Sequence, residues 1–237
     1  MVKMTHKDWK QKAAKKAAEL IEKDMIVGLG SGSTVAEVIK ILGDREIDAT
    51  FVSSSSATQQ LADEQGLSLT SLDGESSLDL TIDGADEVAP DFSLIKGGGG
   101  AHTREKIIAS AASEVIIVVD KTKLVRELGE KRPVPVEVIP FAQGFISRQL
   151  EELGGGPQLR ESSTGGPFIT DNGNYILDVK FKSIKDPSEL ESDLNKIPGV
   201  VENGIFTNLA GQILVGHEEG CTTLDSREDF LDLISSD

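Results

Sequence analysis

The sequence predicts an α/β protein, a doubly wound and mainly parallel sheet with an inserted smaller α+β lobe. Three observations carry that reading. Short apolar runs at Met25–Leu29, Ala49–Val52, Leu78–Ile82 and Val115–Val119 alternate with amphipathic helical stretches, and continuous apolar strands belong to a parallel sheet covered on both faces. The first run passes through glycines straight into a helical period, which opens a βαβ unit. The composition then changes at Lys131–Pro140, where three prolines lie around Val134, Val136 and Val138, and hairpin signals follow.

From Asp8 to Lys23 the apolar positions Trp9, Ala13, Ala17, Leu20 and Ile21 keep helical spacing with lysines between them, which predicts an amphipathic first helix. After the strand Met25–Leu29 and the turn Gly30–Thr34, Val35, Val38, Ile39 and Leu42 resume the helical period. Strand Ala49–Val52, loop Ser53–Ser56 and helix Ala57–Gln65 repeat the pattern, and strand Leu78–Ile82 ends in Asp83. Helix Thr103–Ala112 leads to strand Val115–Val119. The second unit reads as helix Phe141–Leu153, a glycine-rich loop Gly154–Gly166, a turn at Asp171–Asn174 into strand Tyr175–Phe181, helix Pro187–Lys196 and strand Val200–Phe206. Strand Ile213–Gly216 returns to the first sheet, and Glu218–Asp237 is an acidic tail whose Phe230, Leu231, Leu233 and Ile234 form one short docking helix. The expected division is residues 1–132 with 207–237 as a catalytic doubly wound domain and 133–206 as a small lobe for oligomer contact.

Composition narrows the function. The chain has 237 residues, 38% of them hydrophobic, enough for a large domain or two modest ones. Its longest aliphatic run, Val115–Val119, falls far short of the roughly 20 residues that cross a bilayer. Met1–Lys23 has seven lysines, no arginine and three acids, without an apolar core ending in small residues, so neither secretory nor organellar targeting fits and a cytoplasmic location is expected. A single cysteine, Cys221, rules out an internal disulfide and lacks companions for a zinc site. The net charge of −16 repels nucleic acid and anionic lipid, so neither is an expected partner. An anionic substrate therefore needs a local cluster of donors. A salt-rich cytoplasm, where an acidic surface stays hydrated while salt screens its self-repulsion, explains the acidity; ordinary acidic drift is the alternative.

Four clusters have the residue types for chemistry, three of them where strands hand over to helices or loops, the place where open α/β sheets collect ligands. Gly28, Gly30, Ser31, Gly32, Ser33 and Thr34 offer outward amides and hydroxyls at a helix start, a phosphate cradle or else a tight turn. No lysine follows the last glycine, so it is no P-loop. Ser33 stands where a dinucleotide fingerprint needs its third glycine, and the next strand ends in Ser53–Ser56 without the ribose-binding acid. Asp83, Gly84, Ala85, Asp86 and Glu87 put two carboxylates beside a buried strand, where they can hold sugar hydroxyls or shuttle protons, or cap a helix. Lys96, Gly97, Gly98, Gly99, Gly100, Ala101, His102, Thr103, Arg104 and Glu105 flank a conformationally costly glycine run with a cation and a carboxylate; helix stabilisation by Glu105 is the alternative, and His102 reads as a loop histidine. Asp120, Lys121, Thr122 and Lys123 follow the fifth strand, with one lysine aimed at the cleft or both on the surface.

In this order the residues resemble the type A ribose-5-phosphate isomerase family. The resemblance is carried by Gly30–Thr34, Asp83–Glu87, Lys96–Gly99 with Thr103–Lys106, the turn Asp120–Lys123 and Pro133–Val138, and runs from about Ala13 to Gly216. It implies a doubly wound domain, an inserted ferredoxin-like lobe, and a homodimer or homotetramer. It further implies interconversion of ribose 5-phosphate and ribulose 5-phosphate, part of the pentose phosphate pathway, with no cofactor and no metal. Glu105 is then the base that moves a proton between C1 and C2, and Lys96 with the glycine-loop amides holds the enediolate charge. Asp83 and Asp86 bind sugar hydroxyls, assist ring opening and relay protons. Ser31, Gly32, Ser33, Thr34 and Lys123, with Gly84, Ala85, Gly97, Gly98 and Gly99, complete the substrate contacts, and Lys10 is a further candidate. Where relatives commonly carry alanine and leucine, this chain has Gly100 and His102, with the nine-residue step from Lys96 to Glu105 kept. Rival readings are a CoA transferase, which needs an extended CoA site, and a sugar-phosphate-sensing regulator, which needs a DNA-reading module.

Overall fold

The computed structural model describes residues 5–45, 47–74 and 77–235. In chain order the elements are α1 (His6–Glu19), β1 (Ile26–Leu29), α2 (Ser33–Gly43), β2 (Thr50–Ser53), α3 (Ser56–Glu64), β3 (Ser68–Leu69) and β4 (Leu78–Asp83). Next come β5 (Glu87–Val88), β6 (Leu94–Ile95), α4 (His102–Ala111), β7 (Ala112–Asp120), β8 (Val134–Val138), α5 (Gln143–Glu152) and β9 (Gly155–Leu159). The rest are β10 (Tyr175–Phe181), α6 (Pro187–Asn195), β11 (Val200–Asn203), β12 (Ile205–Phe206), β13 (Gln212–Gly216), β14 (Cys221–Leu224) and α7 (Arg227–Ser235). They form two compact units, one of Met1–Ala85, Arg104–Leu124 and Leu209–Asp237, the other of Asp86–Thr103 and Val125–Asn208. The chain thus enters the second unit twice, and Asp86–Thr103 belongs there although the sequence reading leaves it with the first.

The first unit is built on a seven-stranded sheet in the order β14-β13-β7-β4-β1-β2-β3. All its pairings are parallel except β13 with β14. Successive strands step outward from β1 to β2 and β3 on one side and from β4 to β7 and β13 on the other, so the connections change direction between β1 and β4. A crevice opens at the carboxyl ends of strands flanking such a switch. The strands are apolar because both faces are covered: every residue from Val115 to Val119 is buried. Ala13, Ala14, Ala17 and Ala18 are fully buried, and this small-residue face lets α1 lie close on α2, β7 and β13. The helix begins earlier than its periodicity suggests, because Asp8 reaches back to the Thr5 amide (2.6 Å) and closes a capping box.

The second unit runs β8-α5-β9-β10-α6-β11, with a four-stranded antiparallel sheet in the order β11-β8-β10-β9. This is the split βαβ, ferredoxin-like arrangement. A three-stranded sheet, β12-β6-β5, completes it. The prolines that mark a boundary in the sequence lie at and inside a strand: β11 pairs with β8 no further than Asn203 with Val136, and the Pro135 carbonyl accepts the Gly204 amide at 2.7 Å.

Other segments also differ from the sequence reading. Gly154–Gly166 is not all loop, because Gly155–Leu159 pairs with β10. Glycine is the residue that fits there, since a Cβ on Gly155 would lie 2.5 Å from Val179 Cγ1. The expected strand Val200–Phe206 breaks at Gly204 into two strands of different sheets, a Cβ on that glycine falling 2.3 Å from the Lys96 carbonyl. The acidic tail contributes an antiparallel edge strand, β14, and α7 with Phe230 fully buried; Ser236 and Asp237 lie outside the described residues. Among the described residues no helix is long and apolar enough to cross a membrane.

Candidate active site

In the first unit the switch between β1 and β4 gathers two buried carboxylates. Asp83 ends β4, 1% exposed, and Glu105 sits in the first turn of α4, 3% exposed. Gly30 follows β1 and hydrogen-bonds through its amide to the Ile82 carbonyl (2.9 Å). A Cβ on Gly30 would stand 1.9 Å from Asp83 Cγ and Oδ1, so only glycine lets the aspartate lie against the β1 turn. Ser31 then bridges the two acids. Its amide donates to Asp83 Oδ1 (3.2 Å), which also accepts the Gly84 amide (2.7 Å), and its hydroxyl donates to Glu105 Oε1. Gly28 has a packing role that the sequence reading assigns to ligand binding: a Cβ there would meet Ile108 Cγ2 at 2.3 Å and Thr81 Oγ1 at 2.4 Å. Its absence lets α4 seat on β1 and carry Glu105 to Ser31.

A second cluster in this unit lies at the start of α2. Lys10 Nζ donates to Ser33 Oγ at 3.0 Å and stands 4.0 Å from Asp120 Oδ2. A cation, a hydroxyl and a helix N-terminus converge there, the composition of an anion site. Thr34 is buried. Lys123 is half-buried in the turn Lys121–Lys123, which the Asp120 side chain caps by accepting the Thr122 amide (3.0 Å). It joins neither Lys10 nor Ser33 by a hydrogen bond.

The second unit holds the other predicted residues. Asp86 Oδ2 accepts the Gly98 amide at 2.7 Å. Lys96 follows β6, is 3% exposed, and places Nζ 5.5 Å from the Phe206 ring centroid. Gly97 and Gly100 have φ of +100° and +85°, and the Gly100 amide closes on the Gly97 carbonyl (2.9 Å). His102 is not a loop residue: it is fully buried at the start of α4, its Nε2 3.4 Å from the Glu202 carbonyl. Glu87, at the end of the predicted acidic cluster, caps a loop by accepting the amides of Gly129, Lys131 and Arg132 at 2.6, 2.5 and 2.7 Å.

Sequence reasoning misses Arg160 and Asp178. Arg160 forms a two-bonded pair with Asp178 (Nε to Oδ2 2.8 Å, Nη2 to Oδ1 2.5 Å) and donates through Nη1 to the carbonyls of Gly97 and Gly98. With Asp86, Gly98, Arg132, Pro133 and Pro135 the pair lines a cavity of ≈ 200 Å³. One signal could have pointed to it: Asp178 is an acid between apolar Leu177 and Val179 in β10.

Comparison with known proteins places the sequence and the fold beside one family. The sequence model of the ribose 5-phosphate isomerase A (phosphoriboisomerase A) family matches residues 50–220. A ribose-5-phosphate isomerase A of Thermosynechococcus vestitus is 52% identical over 216 residues, 89% of this chain and 92% of that protein. The solved ribose 5-phosphate isomerase A of Methanocaldococcus jannaschii superposes with a TM-score of 0.90 at 46% identity, covering 94% of this chain and all of that one. A solved D-ribose-5-phosphate isomerase in complex with phospho-erythronic acid gives 0.92 at the same identity and coverage.

Proposed function

The chain belongs to the ribose 5-phosphate isomerase A family, and from that premise we propose how its own residues interconvert D-ribose 5-phosphate and D-ribulose 5-phosphate. Glu105 is the base. Its carboxylate takes the proton from C2 of the open-chain aldose, leaving an enediolate, and returns it to C1 to give the ketose. The observation that carries this reading is the Ser31 bridge, which fastens Glu105 and Asp83 side by side at the carboxyl ends of β1 and β4. A hydroxyl donor on Glu105 keeps one carboxylate oxygen oriented, which favours proton transfer from a fixed position.

Asp83 and Asp86 bind sugar hydroxyls, assist opening of the furanose ring and carry the proton between O1 and O2. Lys96 and the amides of the Gly97–Gly99 loop hold the charge that develops on the enediolate oxygens, the role of preorganised donors in such a step. The 5-phosphate is taken by the start of α2, with Ser33, Thr34 and Lys10 and the amides around Gly32, and Lys123, Gly84 and Ala85 complete the substrate contacts. The bound phospho-erythronic acid of a solved relative, a sugar acid bearing a phosphate, supports an anion anchor. The charge stabilisation comes from these side chains and amides, without a metal or an organic cofactor.

On the same reading the protein works in the cytoplasm as a homodimer or homotetramer. In the second unit Phe141 is 99% exposed beside Ile139 and Phe145, an apolar patch that supports an oligomer contact there.

Glu105→Gln keeps the shape and removes the base. It is expected to abolish turnover while substrate still binds, as removing a general base costs about 10²–10⁴-fold. Turnover within about tenfold of the parent, a barrier change of only about 1.4 kcal/mol, would remove Glu105 from that role. Unchanged conversion of ribose 5-phosphate in the presence of a chelator, with little conversion of unphosphorylated ribose, is the matching expectation for charge stabilisation and anchor.

A further inference from the structure

The glycine loop of the second unit is held in one orientation by a residue remote from it in sequence. Arg160 Nη1 lies 2.9 Å from the Gly97 carbonyl and 3.2 Å from the Gly98 carbonyl, while its Nε and Nη2 are occupied by Asp178. Two successive carbonyls are therefore turned toward a single guanidinium. Among the described residues there is no cis peptide bond, and in a planar trans peptide the N–H points opposite to the carbonyl of the preceding residue. The Gly98 amide is accounted for by Asp86. The Gly99 amide must point away from Arg160. It makes no hydrogen bond among the described residues, and Gly98 and Gly99 are both exposed.

We propose that Arg160, seated on Asp178, is a positioning residue for the isomerisation: it fixes the Gly98–Gly99 peptide so that the Gly99 amide is presented as a ready donor to the enediolate oxygen. The proposal rests on the reading that the glycine loop stabilises that charge. Asp86 fixes only the preceding peptide; without the guanidinium no side chain chooses the orientation of the Gly98–Gly99 peptide, and the donor would be aligned at the moment of reaction and not before it. Arginine suits the task because its planar fork reaches a carboxylate and two carbonyls at once, which a lysine ammonium does not. Phe168 supports the arrangement, its ring 5.8 Å from Arg160 Cζ and packed over Gly100, where a Cβ would fall 2.5 Å from its Cε1.

The test compares Arg160→Lys and Asp178→Asn with the parent in kcat, KM, inhibition by inorganic phosphate and melting temperature. A donor used in the transition state lowers kcat and kcat/KM together. Arg160→Lys is expected to lower kcat by roughly tenfold to a hundredfold, at or below the effect of deleting an oxyanion donor, with KM and the phosphate inhibition constant within about twofold of the parent. Asp178→Asn, which leaves the guanidinium but weakens its seat, is expected to fall in the same direction by less, and it carries the test should Arg160→Lys not fold. A kcat within about twofold of the parent in the variants that fold, or a phosphate constant that rises in step with the loss of activity, overturns the proposal. Glu105→Gln assayed alongside separates the two ideas: if it turns over, the base assignment fails, whereas an inactive Glu105→Gln beside fully active Arg160 and Asp178 variants fails the positioning role alone.

Discussion

Glu137 is a carboxylate with no exposed surface, and its state follows from what surrounds it. Burial raises its pKa, but the hydroxyl of Thr103, the amide of Asn174, the hydroxyl of Thr170 and the amide of Asn172 all donate to it, and together they hold the group below its ordinary value of 4.5. Hydrogen bonds to the ionised form favour that form. Because the folded value is depressed, the stabilisation is complete above the unfolded value and is lost as pH falls through the folded one. Glu137→Gln presents an NH₂ to donors and is expected to cost roughly 2 kcal/mol near neutrality, the order of unsatisfied buried donors. The gap in melting temperature between parent and variant should shrink in acid; a gap unchanged between neutral pH and pH about 3 would show that ionised Glu137 is not what the four donors hold. None of this is legible in the sequence, where Glu137 reads as one polar position in a valine and proline run. Its donors come from α4 and from the turn before β10, 33 to 37 residues away.

Between β1 and α2 two glycines do different jobs that the sequence shows as one motif. Gly32, with φ 92° and ψ −179°, has nothing within 4 Å of a built Cβ, so it is needed for its backbone angles, a region almost confined to glycine. Gly30 is needed for space beside Asp83. Gly32→Ala should therefore cost about 1–3 kcal/mol of strain and weaken binding of phosphate, with the chemical step largely spared. Gly30→Ala forces Asp83 from its seat, and is expected to lower kcat as well as stability by about 1–3 kcal/mol or more. Inhibition by phosphate and single-turnover rates separate the two; a Gly30→Ala enzyme with the parent's rate would break the link between this contact and the chemistry. Elements were legible where local signals agree. Continuous apolar runs such as Val115–Val119 declare buried strands, and the capped, periodic α3 falls within one residue of its expected limits. Elements were missed where pairing overrides propensity: β9 begins Gly155-Gly156-Pro157 and is a strand because β10 lies beside it.

At the scale of the molecule the charge of −16 sets a stability that depends on salt. Raising ionic strength from 0.1 M to 1 M shortens the screening length from about 10 Å to about 3 Å and relieves self-repulsion. Stability should rise with KCl by on the order of 1 kcal/mol, which lifts the melting temperature by about 2–4 °C for a chain of this length; a flat profile would mean that repulsion is already balanced by neighbouring cations. The sequence by itself determined the alternation of the main strands and helices, the doubly wound sheet, the glycine turn after the first strand and the acids at strand ends. These depend on periodicity and turn chemistry, which neighbours in the chain decide. Only the tertiary structure decided that Ser31 ties Glu105 to Asp83, that Arg160 holds the Gly97 and Gly98 carbonyls, and that the acidic tail supplies an edge strand. Ser31 and Glu105 are 74 residues apart and Arg160 and Gly97 63 apart, and contacts over such separations are set by how strands and helices pack, which no local pattern encodes.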